Sequence, residues 1–361
     1  MSAEILPTDT PERFRAAVER AAQWLRAGQP VALPTETVYG LAANALDAAA
    51  VARLYQIKGR PAHNPIIVHV AGVEMARQCV AEWPEAAEQL ARAFWPGPLT
   101  LVLPRAPVIP DVVTAGGPTV GVRWPRHPFM QAVIRACGFP LAAPSANLAS
   151  RLSPTTAEHV RAHLGARIPL IVDGGPCPVG IESTVLDLTT RPPRVLRPGM
   201  IHAESLAAVL GAVVLGENAA DASAGPLRSP GLLEKHYAPS VPLWLMHWRD
   251  DAELHRQLRA LAPDQSRPLR VHLLVHTNIP TNAGNAGEAS PVALERVAVI
   301  PRDPDAFARA LYAELHRCEE AGAECIVVET PPAGPEWRAI ADRLRRAAAG
   351  TTPVGPQRAD A

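Results

Sequence analysis

Thirty-nine prolines among 361 residues set the first constraint on this chain. Proline fixes its own φ and removes a hydrogen-bond donor. Many prolines here stand beside glycine or in polar stretches, so they dictate many fixed turns and loops. Between these breaks the apolar residues fall in short runs, helical patterns alternating with extended ones, which predicts an α/β fold class. Nearly half of the residues are apolar and about a fifth are charged, the balance of a globular rather than a disordered chain. The length exceeds one typical core and predicts two domains.

The first helix is set by Thr10 as cap and Pro11 at its first position, with Phe14, Val18, Ala21 and Leu25 as one apolar stripe and Gly28 as its stop. Val31–Leu33 follows as a buried strand, and Asp47 is placed to cap a second helix. Strands are predicted at Ile66–Val70, Leu99–Leu103, Val120–Arg123, Leu141–Ala143, Leu170–Val172 and Thr184–Leu188, with helices at Glu85–Phe94, Pro128–Ala136, Thr155–Leu164 and Ala203–Leu210. Thr155 and Glu158 have the spacing of a capping box. Residues 1–211 then form a first domain, 212–240 an Ala/Gly/Ser/Pro-rich linker, and 241–361 a smaller α/β domain with a polar Asn/Gly loop at Asn282–Glu288.

The formal net charge is zero, which argues against a protein held on nucleic acid by bulk electrostatics alone but allows a local basic pocket. The N-terminus lacks the basic-then-apolar layout of a signal peptide, and no apolar run approaches the length of a membrane span. The cysteines Cys79, Cys137, Cys177, Cys318 and Cys325 form no CxxC pair and have no zinc-like spacing to histidine. Buried thiols in a reducing compartment, with the cytoplasm as default, are expected.

Several polar segments fall at strand ends, where open α/β sheets place ligands. The stretch from Pro34 to Gly40 offers two threonines, a carboxylate and a phenol: either a clamp for a small polar substrate or a capped turn. Lys58 and Arg60 flank a glycine ahead of Asn64, and can converge on a polyanion or form a solvated basic turn. His69 lies on a strand, where a lone histidine is more often a satisfied core residue. Arg123 ends an apolar strand and, if buried, requires an anionic partner, either a substrate carboxylate or an Asp or Glu of the chain. Ser145 lacks the GxSxG context of a nucleophile and is read as a binding residue. Asp173, Glu182, Ser183 and Arg197 add further candidates. No Walker A or GxGxxG pattern occurs, and clusters of His or Cys metal ligands are missing, so a divalent ion would arrive with nucleotide phosphates.

The order of the segments PTETVYGLAANA, KGRPAHNPIIVHV, FWPGPLTLVLPR, VGVRWPRHP, PLAAPSANLASRLSP, VDGGP, GIESTVLDL and VLRPG resembles the successive motifs of the YrdC-like threonylcarbamoyl-AMP synthase family, over roughly residues 5–211. The linker through Tyr237 is similar to that of the longer, two-domain branch. The resemblance implies a YrdC-like twisted mixed sheet with an open concave face and a smaller C-terminal Rossmann-like domain. It implies an L-threonine pocket of Thr35, His69, Arg123, Ala143 and Ser183. It also implies ATP bound by Lys58, Arg60 and Asn64, with Thr119, Ser145, Asn147, Ser153 and Arg197 around it and Tyr237 as a lid. Lys58 and Arg60, with Mg²⁺, carry the charge developing on the phosphates. The implied activity joins L-threonine, bicarbonate and ATP for tRNA threonylcarbamoyladenosine formation, with hand-over to a downstream tRNA threonylcarbamoyl-transferase complex and direct RNA contact left open. The competing readings are a double-stranded RNA-binding module and a carbamoyl-transfer domain.

Overall fold

The computed structural model describes residues 2–216, 229–230, 236–262, 267–281 and 291–351. It divides into two compact units, Met1–Glu234 and Lys235–Ala361. The expected loop at Asn282–Glu288 and most of the linker lie outside the described residues.

In the first unit the strands are β1 (Glu4–Pro7), β2 (Val31–Leu33), β3 (Gly40–Asn44), β4 (Val68–His69), β5 (Leu99–Pro104), β6 (Thr119–Arg123), β7 (Leu141–Ala142), β8 (Leu170–Asp173), β9 (Thr184–Asp187), β10 (Arg194–Arg197) and β11 (Val214–Leu215). The helices are α1 (Pro11–Arg26), α2 (Ala48–Lys58), α3 (Val73–Cys79), α4 (Glu85–Phe94), α5 (Asp111–Thr114), α6 (Pro128–Cys137), α7 (Ala157–Leu164) and α8 (Ala203–Leu210). The strands form one mixed sheet in the order β1-β8-β2-β3-β7-β4-β6-β5-β9-β10-β11. Since β11 pairs with β10, the sheet extends beyond Gly211 into the stretch read as linker.

Successive side chains of a strand face opposite sides of a sheet, and this alternation creates the site. Along β4, β5, β6 and β9 one set (Val68, Leu99, Leu101, Leu103, Val120, Val122, Leu186) enters the main core with Leu54 and Leu90 from α2 and α4. The alternate set on β5 and β6 is Thr100 and Val102, and Thr119, Gly121 and Arg123. Ile67, Val102 and Val185 of that face form only a small cluster of their own. A groove runs over it, lined by Ile67, Thr100, Thr119, Gly121 and Val185. Toward β2 and β8 a separate core of Val31, Leu33, Leu170 and Val172 is covered by α1 and α6.

Local chemistry explains most element ends. Thr10 accepts from the Arg13 amide at 3.2 Å to start α1, and Asp47 accepts from the Ala49 and Ala50 amides at 2.9 and 3.1 Å to start α2. The buried stripe of α1 is Ala17, Ala21, Ala22 and Leu25; Phe14 instead meets the Phe129 ring edge-on at 5.2 Å. The capping box predicted from Thr155 is not formed. Thr156 is the cap, accepting from the His159 amide, because the helix begins at Ala157. The strand expected over Ile66–Val70 shortens to Val68–His69, since the Ile66 amide is taken by the Val113 carbonyl rather than by a neighbouring strand.

In the second unit β12 (Leu243–Met246), α9 (Asp251–Arg259), β13 (Leu269–Val275), β14 (Val292–Val299), α10 (Pro304–Glu320), β15 (Cys325–Glu329) and α11 (Arg338–Ala348) give a parallel sheet ordered β12-β15-β13-β14. This is the smaller Rossmann-like α/β domain. The sequence reading missed α9, whose buried residues are only Leu254 and Leu258 among charged neighbours.

Gly199 packs so closely on the start of β9 that a Cβ there would lie 2.4 Å from the Thr184 nitrogen. Gly199→Ala is therefore expected to destabilise the protein by about 1–3 kcal/mol, the usual cost of overpacking. Urea unfolding checks this, and an unchanged midpoint would show that β9 and the turn after β10 are free to separate.

Candidate active site

The loop from Pro34 to Tyr39 enters the site already hydrogen-bonded. The Thr35 hydroxyl donates to the Val38 carbonyl at 2.6 Å and accepts from the amides of Thr37 and Val38. Its Oγ1 lies 2.9 Å from that of Thr37, which in turn accepts from Arg123 Nη1 at 3.0 Å. Each hydroxyl has one proton, so the Arg123 and Val38 bonds fix the direction of this chain: Thr37 donates to Thr35. Tyr39 anchors the far end, donating to the Gly175 carbonyl and accepting from the Gly174 amide. Burial raises its phenol further above the ordinary range.

Arg123 is buried at the end of β6, with Nε donating to the Gly97 carbonyl at 3.2 Å. Its anionic partner within the chain is Glu36, whose Oε1 lies 2.6 Å from Nη2. The pair sits at ion-pair distance but off hydrogen-bond alignment. Arg123 Nη2 and both Glu36 oxygens are buried without a hydrogen-bond partner. Burial pulls the Glu36 carboxyl upward most strongly, but the Arg123 charge together with the nearby Arg126 and Glu36 backbone amides outweighs it and holds the group below the usual carboxylate range. Beside them His69 occupies β4, in register with Arg123 on one side and Leu141 on the other. Its Nδ1 is another buried atom without a hydrogen-bond partner. Burial, then the Arg123 charge, pushes the imidazole down to about 3, so it stays neutral. Ala143, next after β7, packs against Gly40, where an added Cβ would come within 3.3 Å of the Ala143 methyl.

Thr100, which the sequence reading did not select, extends this row across the sheet. Its Oγ1 lies 2.8 Å from that of Ser183. Arg197 grips the same serine through Nε to its carbonyl and Nη2 to its hydroxyl, both at 3.1 Å. The residues expected on threonine and on nucleotide therefore meet at Ser183.

The second cluster forms where α2 ends. Gly59 adopts φ +60, a conformation that favours glycine, and turns the chain between Lys58 and Arg60. Lys58 is buried and donates to the carbonyls of Ser145 and Asn147. Burial, then the nearby Arg60 charge, lowers its pKa well below that of an ordinary lysine. Arg60 donates to the Asn64 carbonyl at 3.0 Å, to Asn64 Oδ1 at 2.8 Å and to the Pro65 carbonyl at 2.6 Å. Asn147 Nδ2 ties the following loop to the Arg151 carbonyl, and Ser153 donates to Glu182 at 2.5 Å. Thr119 lines the groove described above. Tyr237 belongs to the second unit, where its buried ring packs beside Tyr312 and under the Arg343 guanidinium.

Three residues at this site had been named only as parts of segments or passed over: Glu36, Thr37 and Thr100. Their sequence signal is polarity at a position that alternation assigns to the buried end or open face of a strand. All five cysteines are buried and unbridged. Among the described residues no group of three or more His, Cys, Asp or Glu is placed to hold a metal ion, and no helix is long and apolar enough to cross a membrane.

Residues 23–199 match the family described as "Telomere recombination", and residues 201–349 match the "Threonylcarbamoyl-AMP synthase, C-terminal domain". The chain is 38% identical to the threonylcarbamoyl-AMP synthase of Pyrococcus abyssi, over 91% of this chain and 92% of that one. It belongs to the threonylcarbamoyl-AMP synthase family. The Bacillus subtilis threonylcarbamoyl-AMP synthase is 40% identical over 96% of this chain and 95% of its own length. A solved structure of the P. abyssi relative in complex with L-threonine superposes with a TM-score of 0.81 at 36% identity, covering 96% of this chain and 98% of that one.

The depressed His69 pKa gives a signed expectation. A group protonated near 6.5 when unfolded and near 3 when folded adds stability that is complete above about pH 6.5 and is lost as pH falls toward 3. In an NMR titration the His69 ring signals should stay in their neutral positions from pH 8 to pH 5. Protonation near 6.5 would contradict the buried placement.

Proposed function

We propose that this chain joins L-threonine, bicarbonate and ATP into threonylcarbamoyl-AMP with release of pyrophosphate. The observation that supports this most is the presence in one unit of two polar clusters, one on the sheet at the end of β6 and one where α2 ends. One pairs Arg123 with hydroxyl groups and unsatisfied polar atoms; the other holds Lys58 and Arg60 around a glycine turn. An amino acid and a polyphosphate are the ligands that such a pair of clusters suits.

In this reading Arg123 takes the threonine carboxylate in its planar fork. Thr35, His69 and Ser183 surround the rest of the molecule, and Ala143 admits it against the backbone. Lys58, Arg60 and Asn64 hold the phosphates, with Thr119, Ser145, Asn147, Ser153 and Arg197 around phosphates and nucleoside. In the present conformation Lys58 and Arg60 are satisfied by neutral carbonyl and amide oxygens. Phosphate oxygens carry full charge and replace these with stronger charge-assisted bonds.

The threonine amine adds to carbon dioxide derived from bicarbonate, and the resulting carbamate attacks the α-phosphorus as pyrophosphate leaves. The cations stabilise charge that grows on the phosphates, and burial makes that stabilisation larger than in water. Mg²⁺ is proposed to travel with the triphosphate. It would supply further charge neutralisation there. The proposed setting is cytoplasmic, with the product consumed by a tRNA threonylcarbamoyl-transferase complex.

Pyrophosphate release by purified protein with ATP and Mg²⁺ is expected only when both L-threonine and bicarbonate are present. It should fall by about 10²-fold in Lys58→Ala or Arg60→Ala, the usual loss when a charge-stabilising group is removed. Release independent of threonine, or unchanged in both variants, would overturn the assignment.

A further inference from the structure

We infer that Glu36 is a further residue of the amino-acid subsite, one that receives the substrate's α-ammonium and accepts the proton which the amine must lose before it attacks carbon dioxide. This rests on the reading of the site as a threonine pocket and deepens it.

Three observations carry the inference. First, Arg123 and Glu36 place one cation and one anion side by side, 2.6 Å apart, with side chains only 4% and 5% exposed. A zwitterionic α-amino acid carries its own two charges one carbon apart, in the complementary order. Second, Arg123 is held independently of Glu36, by the Gly97 carbonyl and the Thr37 hydroxyl. Neither Glu36 oxygen, in contrast, has a partner in good hydrogen-bond geometry, although the Arg126 and Glu36 backbone amides lie near enough to act on its charge. A carboxylate has about four lone-pair sites to fill, and an ammonium brings three donors. Third, the groups that face Glu36 are poor proton acceptors. These are Arg123 from β6, His69 from β4, His127 at the start of α6, and Cys177 beyond β8. Burial lowers both histidines, and it keeps the Cys177 thiol protonated.

The proton balance is simple. Before substrate enters, the Arg123 charge and the nearby backbone amides together hold Glu36 ionised. When the substrate carboxylate takes the guanidinium, two carboxylates share one cation, and that crowding raises the proton affinity of Glu36. One ammonium proton passes to Glu36, leaving a neutral amine. Bicarbonate dehydrates to carbon dioxide and hydroxide, and the nitrogen–carbon bond forms. The second nitrogen proton goes to the hydroxide, giving water and the carbamate. Glu36 returns its proton to solvent after the product leaves.

The test compares L-threonine with (R)-3-hydroxybutyrate, which keeps the carboxylate and hydroxyl but has no amine, by calorimetry on the full chain and on Glu36→Gln. In the wild type, loss of the ammonium should weaken binding at least about tenfold, the range of one charge-assisted hydrogen bond. In Glu36→Gln that penalty should shrink to less than about threefold while ATP affinity is unchanged. Threonine-dependent pyrophosphate release by the variant should drop at least about tenfold at pH 7 and recover as pH rises toward the amine's own range. An equal penalty in both proteins, or a loss of turnover that is the same at every pH, would overturn the role. Should Glu36→Gln not fold, Glu36→Asp decides: its carboxylate still accepts, so the ammonium penalty must persist, and its disappearance would overturn the role. A wild type that neither binds threonine nor depends on it would instead sink the reading of the whole pocket.

Discussion

A guanidinium buried in the middle of a sheet is costly unless matched, and most of the first unit's architecture answers that cost. Arg123 lies on the face of β6 opposite the main core, where its fork reaches Gly97, Thr37 and Glu36. Removing one partner of such a pair leaves an uncompensated buried charge, worth about 3–5 kcal/mol. The loop that carries Glu36 and Thr37 must therefore be held firmly. It is, by the Thr35 hydroxyl at one end and by Tyr39 on Gly174 and Gly175 at the other. The residues of the candidate site are thus positioned by groups that also balance the Arg123 charge.

The same alternation that fills the core opens the site. Two-residue periodicity sends Val120 and Val122 inward and leaves Thr119, Gly121 and Arg123 on the other face. Gly121 is central to that face, since a Cβ there would approach the Thr100 methyl at 3.2 Å. The candidate site and the core packing are then two sides of single strands. The second unit uses its strand ends differently. At the end of β15 the buried Glu329 carboxylate accepts from the amides of His276 and Thr277 and from the Asn278 side chain. A turn of successive amides is an anion-binding arrangement, and here the chain supplies its own anion.

Much of this was legible in the sequence. Apolar β-branched runs located β5, β6 and β9. Cap residues located α1 and α2, and an arginine closing an apolar strand raised the question of its anionic partner. The elements that escaped were those whose stability comes from distant neighbours. Gly40–Asn44 holds Gly, Leu, two Ala and Asn and has no β-branched residue, yet it is a central strand between β2 and β7. Glu4–Pro7 is a strand because Leu170–Asp173, far along the chain, pairs with it. Glu36 stood in plain view within PTETVYG. Its meeting with Arg123 depends on a sheet order in which β2, β3, β7, β4 and β6 are spatial neighbours, which local patterning does not encode.

The central claim is that the Arg123–Glu36 cluster is where an amino acid binds. A crystal structure of this protein with L-threonine tests it most directly. The account predicts the threonine carboxylate within hydrogen-bond reach of the Arg123 guanidinium and the ammonium against the Glu36 carboxylate. Threonine bound elsewhere, with the Arg123–Glu36 pair undisturbed, would contradict it.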